Sequence, residues 1–234
     1  MPDDRESIRP ELLDRWLARG AAVVVTLQFS LINDFGYGTR RLAPVLEIIL
    51  LVPLTVLTLR AERLAWHAHT SEQWESAAWY RRFNLVLGVA LVAVISLSNA
   101  RALLLLVRAL LAGTTQNGRA LLLDARNIWA TNVIVFSLWY WELDRGGPSI
   151  DRMVRRGFSE FLFPQTILPT GTVSASTTPG FIDYLFLSFN TSTAFSPTDT
   201  MPLAVRMKLL MMLEATVSLL TLALVAARAV NILA

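Results

Sequence analysis

The 234-residue chain has no cysteine, a single lysine (Lys208) and two histidines. Without cysteine there is no disulfide, no thiol nucleophile and no thiolate metal site. His67 and His69 stand together in "WHAHT", with only acids nearby as further donors. Metal sites generally take three or four ligands, so a loop without metal is expected there. The remaining basic residues are arginines, scattered between apolar runs and never gathered into a block. That spacing suits the flanks of membrane segments and argues against a nucleic-acid surface. No glycine-rich phosphate loop and no nucleophile paired with a base is present, so no enzyme is expected, and catalytic residues are none. The start, "MPDDRESIRPELLDRWLARG", lacks the basic-then-apolar order of a cleaved leader and is amphipathic and acid-rich. No internal repeat is present, which a carrier would usually show. The arginines do not recur every third residue along one helix, which argues against a voltage sensor of the usual type.

What the chain does have is apolar length. Hydrophobic residues make up 54% of it, where soluble domains average roughly 45–50% on a count that includes glycine. Several runs approach the roughly 20 residues that cross a bilayer core. The expected fold is an all-α integral membrane protein with about five hydrophobic helices plus a re-entrant pore half-helix and a filter-like loop. An amphipathic segment, 1–19, precedes an N-terminal membrane region, 20–113, with runs at 20–32, 42–59 and 83–113. The first run is short and crosses only if its flanks tilt in. The second carries Glu47, Pro44 and Pro53, and prolines are tolerated in such helices where neighbours satisfy the freed backbone. The third meets Asn99 and Arg101. Glu47 and Arg101 either pair across helices, or bond freed backbone and snorkel, respectively. "TTQNG", 114–118, reads as a turn. The second region, 120–234, divides into an outer helix 123–143, a linker 144–180, a short helix 181–192, a loop 193–199 and a final helix 203–233. Asp124 and Arg126 are expected to form an ion pair at the membrane surface. Trp139, Tyr140 and Trp141 are expected at the water–lipid boundary, where such rings concentrate.

The short helix raises the functional question. Residues 181–192 would span about 18 Å at ~1.5 Å per residue, too little for a core of about 30 Å. Thr178-Pro179 reads as its cap and first-turn pair, and Asp183 complements the helix dipole. The chain then returns through "NTSTAFSPTDTMP", a stretch rich in hydroxyls. Non-helical backbone at membrane depth must be buried in protein or line water. Half-helix, polar return and full helix together read as a re-entrant pore loop, whose carbonyls and hydroxyls can replace part of an ion's hydration shell. One such loop cannot enclose a path, so four chains around an axis are expected.

The region from about residue 128 to residue 231 resembles the two-helix pore module of the potassium-channel-like (voltage-gated-like) superfamily. That module places T-x-T-T-V-G-Y-G-D-x-x-P between its pore and inner helices. Here "TSTAFSPTDTMP" lies in register with it: Thr191 and Thr193 take threonine positions, Asp199 the acid and Pro202 the proline. The final helix shares a basic start, an embedded glutamate (Glu214) and a late arginine. The resemblance implies pore or filter residues Thr193, Ala194, Phe195, Ser196, Pro197, Thr198 and Asp199, supported by Thr191, Pro202 and Glu214. The five central positions depart from the family, reading Ala194, Phe195, Ser196, Pro197 and Thr198. Both glycines are missing, and Ser and Thr rarely adopt the left-handed backbone that glycine enters freely. Pro197 also fixes φ and removes an N–H. Weak or unusual selectivity is therefore expected, with side chains of Thr193, Ser196 and Thr198 coordinating and a ring of Asp199 favouring cations. "FGYG", 35–38, has no half-helix before it and reads as a loop.

The expected function is thus a homotetrameric cation-conducting pore in a lipid bilayer, multi-pass and of the bacterial plasma membrane. Its traffic is inorganic ions, with no cofactor or metal beyond a permeant monovalent cation. A non-conducting pore-fold scaffold or partner subunit is the alternative, and an intramembrane enzyme or carrier using Asp183, Asp199 or Glu214 is a third. Glu214 is expected to brace the filter, bonded to pore-helix backbone or serine side chains. The sequon Asn190-Thr191-Ser192 reads as a chance match. The family orientation puts the filter outside. With five crossings, fourteen basic residues share the filter side and six the other, which by the positive-inside rule puts that side in the cytoplasm. If run 20–32 only dips, the count becomes ten to ten.

Overall fold

A computed structural model describes residues 16–24, 49, 52–53, 56, 71–112, 118–145, 160–167, 179–194, 196 and 199–233. Residues 16–24 are helical. Four longer helices follow: α1, Ser71–Leu111; α2, Gly118–Arg145; α3, Phe181–Ala194; and α4, Val205–Leu233. Strands β1, Phe161–Leu162, and β2, Met201–Pro202, form one short antiparallel ladder, with Phe161 opposite Pro202 and Leu162 opposite Met201. The fold is thus almost all helical, with a small ladder that the all-α expectation omitted.

Among the described residues, three stretches are long and apolar enough to cross a membrane: Val86–Leu111, Leu121–Asp144 and Val205–Ala227. The shortest has 23 residues and spans about 35 Å at ~1.5 Å per residue, enough for a core of about 30 Å. They support a membrane-embedded protein. The crossings expected at 20–32 and 42–59 fall mostly outside the described residues, as do Glu47, "FGYG" and both histidines.

Helix α1 starts at Ser71, twelve residues before the expected start at 83. Its opening, "SEQWESAAWYRR", is too polar to join an apolar run but includes the helix formers Ala, Glu, Gln and Arg. Helix α2 likewise takes in Gly118, placed in the turn by sequence, and so starts five residues before 123. Helix α3 is capped differently from the expected Thr178-Pro179 pair. Pro179 precedes the helix, and the Gly180 N–H donates to Asp183 Oδ2 at 2.6 Å, the reach-back half of a capping box.

Helix α2 is the hub, packed by α1, α3 and α4. Gly88 lets α1 approach it closely: a Cβ there would stand 2.8 Å from Glu142 Oε1. Trp139 Nε1 donates to Ser96 Oγ at 2.9 Å, and Asn99 Nδ2 to the Ile128 carbonyl at 3.3 Å, so Asn99 is buried in the α1–α2 seam. Ala18 and Ala22 join the same core, and Arg19 lies within electrostatic reach of Glu142. Tyr140 and Trp141 are buried within the protein, three to four residues before the apolar stretch ends at Asp144. Trp141 packs edge to face on Phe181 and Tyr184 of α3, and Tyr140 on Phe161 of β1.

Candidate functional site

Two tiers of polar contacts fasten the short helix α3 into the bundle. The deep tier centres on Glu214, which is fully buried on α4. Its Oε1 meets two hydroxyls of α3, Ser188 Oγ and Ser192 Oγ, the latter at 2.9 Å. Its Oε2 meets the Tyr140 hydroxyl from α2. Ser188 Oγ also lies 2.7 Å from the Val133 carbonyl. Beside them Asn132 Nδ2 donates to Ser218 Oγ at 2.9 Å and to the Glu214 carbonyl at 3.3 Å. Ser188 and Ser192 stand one turn apart on one face, as do Glu214 and Ser218, so each helix contributes a polar step to the same seam.

The level of this tier follows from helix geometry. Glu214 is nine residues past Val205 and Ser192 eleven past Phe181. At ~1.5 Å per residue they lie about 14 and 16 Å from those helix starts.

The outer tier is built on Asp144, near the end of α2. Its Oδ1 accepts the N–H groups of Glu160 and Phe161, the latter at 3.1 Å, and its Oδ2 accepts the Tyr184 hydroxyl at 2.5 Å. The Leu203 N–H donates to the Glu160 carbonyl at 2.8 Å, extending the β1–β2 ladder. Glu160 also forms an ion pair with Arg206, whose Nη2 donates to the Leu143 carbonyl at 3.3 Å. The start of α3 and the strand that follows the loop are therefore tied to the same end of α2.

An aromatic collar surrounds the entry. Tyr184 meets Trp141 and Phe163 edge to face, with centroids 5.6 and 5.1 Å apart, and Phe181 packs on Trp141 at 6.1 Å. Edge-to-face pairs contribute about 0.5–1.5 kcal/mol each beyond area burial. In lipid that matters more than usual, because helix association gains no hydrophobic transfer there.

The predicted pore residues divide among three places. Thr193 and Ala194, assigned to the loop by sequence, form the last turn of α3. The helix runs to Ala194, and Thr193 Oγ1 donates back to the Phe189 carbonyl at 2.8 Å. Thr193, Ala194, Ser196 and Asp199 are exposed, whereas Thr191 is buried with its hydroxyl on the Leu187 carbonyl at 2.9 Å. Pro202 lies in β2, and Phe195, Pro197 and Thr198 fall outside the described residues. Asn190, the asparagine of the sequon, is half-buried, and its Nδ2 donates to the Phe186 carbonyl at 2.8 Å.

Glu214 was expected to bond short-helix backbone or serine side chains, and Ser188 and Ser192 are those serines; sequence reasoning missed Tyr140, Asn132 and Ser218 around it. It also missed Asp144, Tyr184, Glu160 and Arg206 at the outer tier. The Ser188–Ser192 and Glu214–Ser218 spacings were the available signals, since polar residues four apart share a helix face. Among the described residues, no group of three or more His, Cys, Asp or Glu side chains is gathered for a metal. The exposed oxygen groups lie at the end of α3 and in the loop, and the deep tier stands behind them, closed to solvent. No protein-family model matches the chain, and neither a curated protein nor a solved structure is significantly similar to it.

Proposed function

We propose that the chain is a pore-forming membrane protein, a homotetramer that conducts monovalent cations with weak or unusual selectivity. The observation that carries this reading is the path of α3. The helix begins at the Asp144 end of α2 and reaches the level of Glu214, and the chain is back at the Asp144 end by β2. In a bilayer this is a re-entrant excursion that stops near the midplane. Ser196 and residues 199–200, between α3 and β2, are non-helical, and such backbone at membrane depth is tolerated where it is buried in protein or lines water. Ser196 and Asp199, exposed in a single chain, would face a shared axis once four copies assemble. Four Asp199 carboxylates at the mouth favour cations over anions. The protein would then be multi-pass in the plasma membrane of a bacterial cell, in keeping with the channel-like pattern of its last two helices.

The test is single-channel recording of the purified chain in planar bilayers, beside Asp199→Asn, under matched potassium, sodium and chloride gradients. The expected result is unitary cation current whose amplitude or reversal potential shifts in the variant. Silence from protein shown to be tetrameric would replace the pore with a non-conducting scaffold. A stable monomer would remove the axis altogether.

A further inference from the structure

We infer that the Glu214 carboxyl carries a proton and donates it to Ser188, making the brace behind the short helix a neutral hydrogen-bond relay. Four oxygen–oxygen contacts meet in the deep tier: Tyr140 with Oε2, Ser188 with Oε1, Ser192 with Oε1, and Ser188 with the Val133 carbonyl. Each needs one proton between its oxygens. A backbone carbonyl supplies none, and each hydroxyl supplies one. Tyr140, Ser188 and Ser192 together supply three, one fewer than the contacts require.

The count closes when Glu214 supplies the fourth. Tyr140 then donates to Oε2, Ser192 donates to Oε1, the acid O–H at Oε1 donates to Ser188, and Ser188 donates to the Val133 carbonyl 2.7 Å away. With an ionised carboxylate, Ser188 must choose between Glu214 and Val133, and the other pair becomes two facing lone pairs with no proton. The surroundings agree. Among the described residues, the hydrogen-bond partners of the carboxyl are all uncharged, and Tyr140 is the one titratable side chain among them. An ionised carboxylate buried without a cation is among the costliest groups in a protein interior.

The relay has a consequence for the proposed pore, and this part alone rests on that reading. A neutral Glu214 adds no charge to the path, so it positions α3 without selecting ions. Asp199 is then the carboxylate of this region that addresses the permeant cation. Glutamine at 214 should serve in its place, because its amide offers an N–H where the acid offers an O–H.

The experiment is infrared difference spectroscopy at neutral pH on the full chain in lipid vesicles, wild type minus Glu214→Gln. The expected result is loss of a protonated-carboxyl carbonyl stretch that shifts in D2O, with the melting temperature held near wild type. Loss of ionised carboxylate bands in its place would overturn the inference. Ser188→Ala is the second variant, used if Glu214→Gln does not fold. Removing the acceptor should move the acid carbonyl band, and a spectrum with no change in that region would overturn the inference. In bilayer recordings, Glu214→Gln should leave the reversal potential in place while Asp199→Asn shifts it. A shift in both would overturn the neutral relay. A silent wild type counts against the pore and leaves the infrared result to decide the proton.

Discussion

The deep tier around Glu214 and the outer tier around Asp144 hold the same short helix by different means. The deep tier joins side chains to one another and to the Val133 and Glu214 carbonyls, sealed among α2, α3 and α4. The outer tier uses one carboxylate to gather two backbone N–H groups and a tyrosine, then adds a two-residue ladder and an ion pair at the surface. Arg206 is 57% exposed, whereas Glu214 is fully buried. The contrast shows why position decides the energetic weight of a polar contact. A buried group left without its partner costs about 1–3 kcal/mol, while an exposed ion pair contributes about 0–1 kcal/mol.

The sharpest test of that contrast is Glu214→Ala. It strands the hydroxyls of Tyr140 and Ser192 in a closed seam, while Ser188 keeps the Val133 carbonyl, and should destabilise the chain by about 3 kcal/mol or more. Thermal unfolding in detergent, read against Glu214→Gln, checks this; equal melting temperatures would erase the distinction between the tiers. Asp144→Ala should come next, at about 2 kcal/mol, since the Glu160 and Phe161 N–H groups and the Tyr184 hydroxyl lose one acceptor at a half-buried site. Proteolysis between β1 and α3 should rise in that variant, and an unchanged cleavage pattern would count against the anchor. Arg206→Gln should change least, by under about 1 kcal/mol, and that small difference should vanish as salt is raised. A loss as large as that of Asp144→Ala would mean the ion pair is far less solvated than its exposure indicates.

Much of the helical frame was legible as sequence. Apolar runs located the later part of α1, most of α2 and α4, because length and composition alone decide whether a helix can cross a bilayer. The short α3 was legible too, since its apolar run was too brief to span and gave way to hydroxyl-bearing residues. The errors had local causes. The first twelve residues of α1 are polar and helical, and a search for apolar runs passes over them. Composition alone did not show that Trp141 packs inward on Phe181 and Tyr184, or Tyr140 on Phe161. Thr193 and Ala194 read as loop by alignment with the family's filter, yet the helical hydrogen bonds run on through them.

By itself the sequence determined the class of solvent the chain is built for, the approximate limits of three long helices, the short helix between the last two, and Glu214 as a carboxyl inside an apolar run. These follow from composition and period, which act over neighbouring residues. Only the tertiary structure decided the partners of Glu214. Tyr140, Ser188 and Ser192 stand 74, 26 and 22 positions away in the chain, and no local rule links them. The proton count that makes Glu214 a donor exists only where three helices bring those oxygens together. The same holds for Asp144, a lone acid at a helix end until β1 and Tyr184 fold onto it.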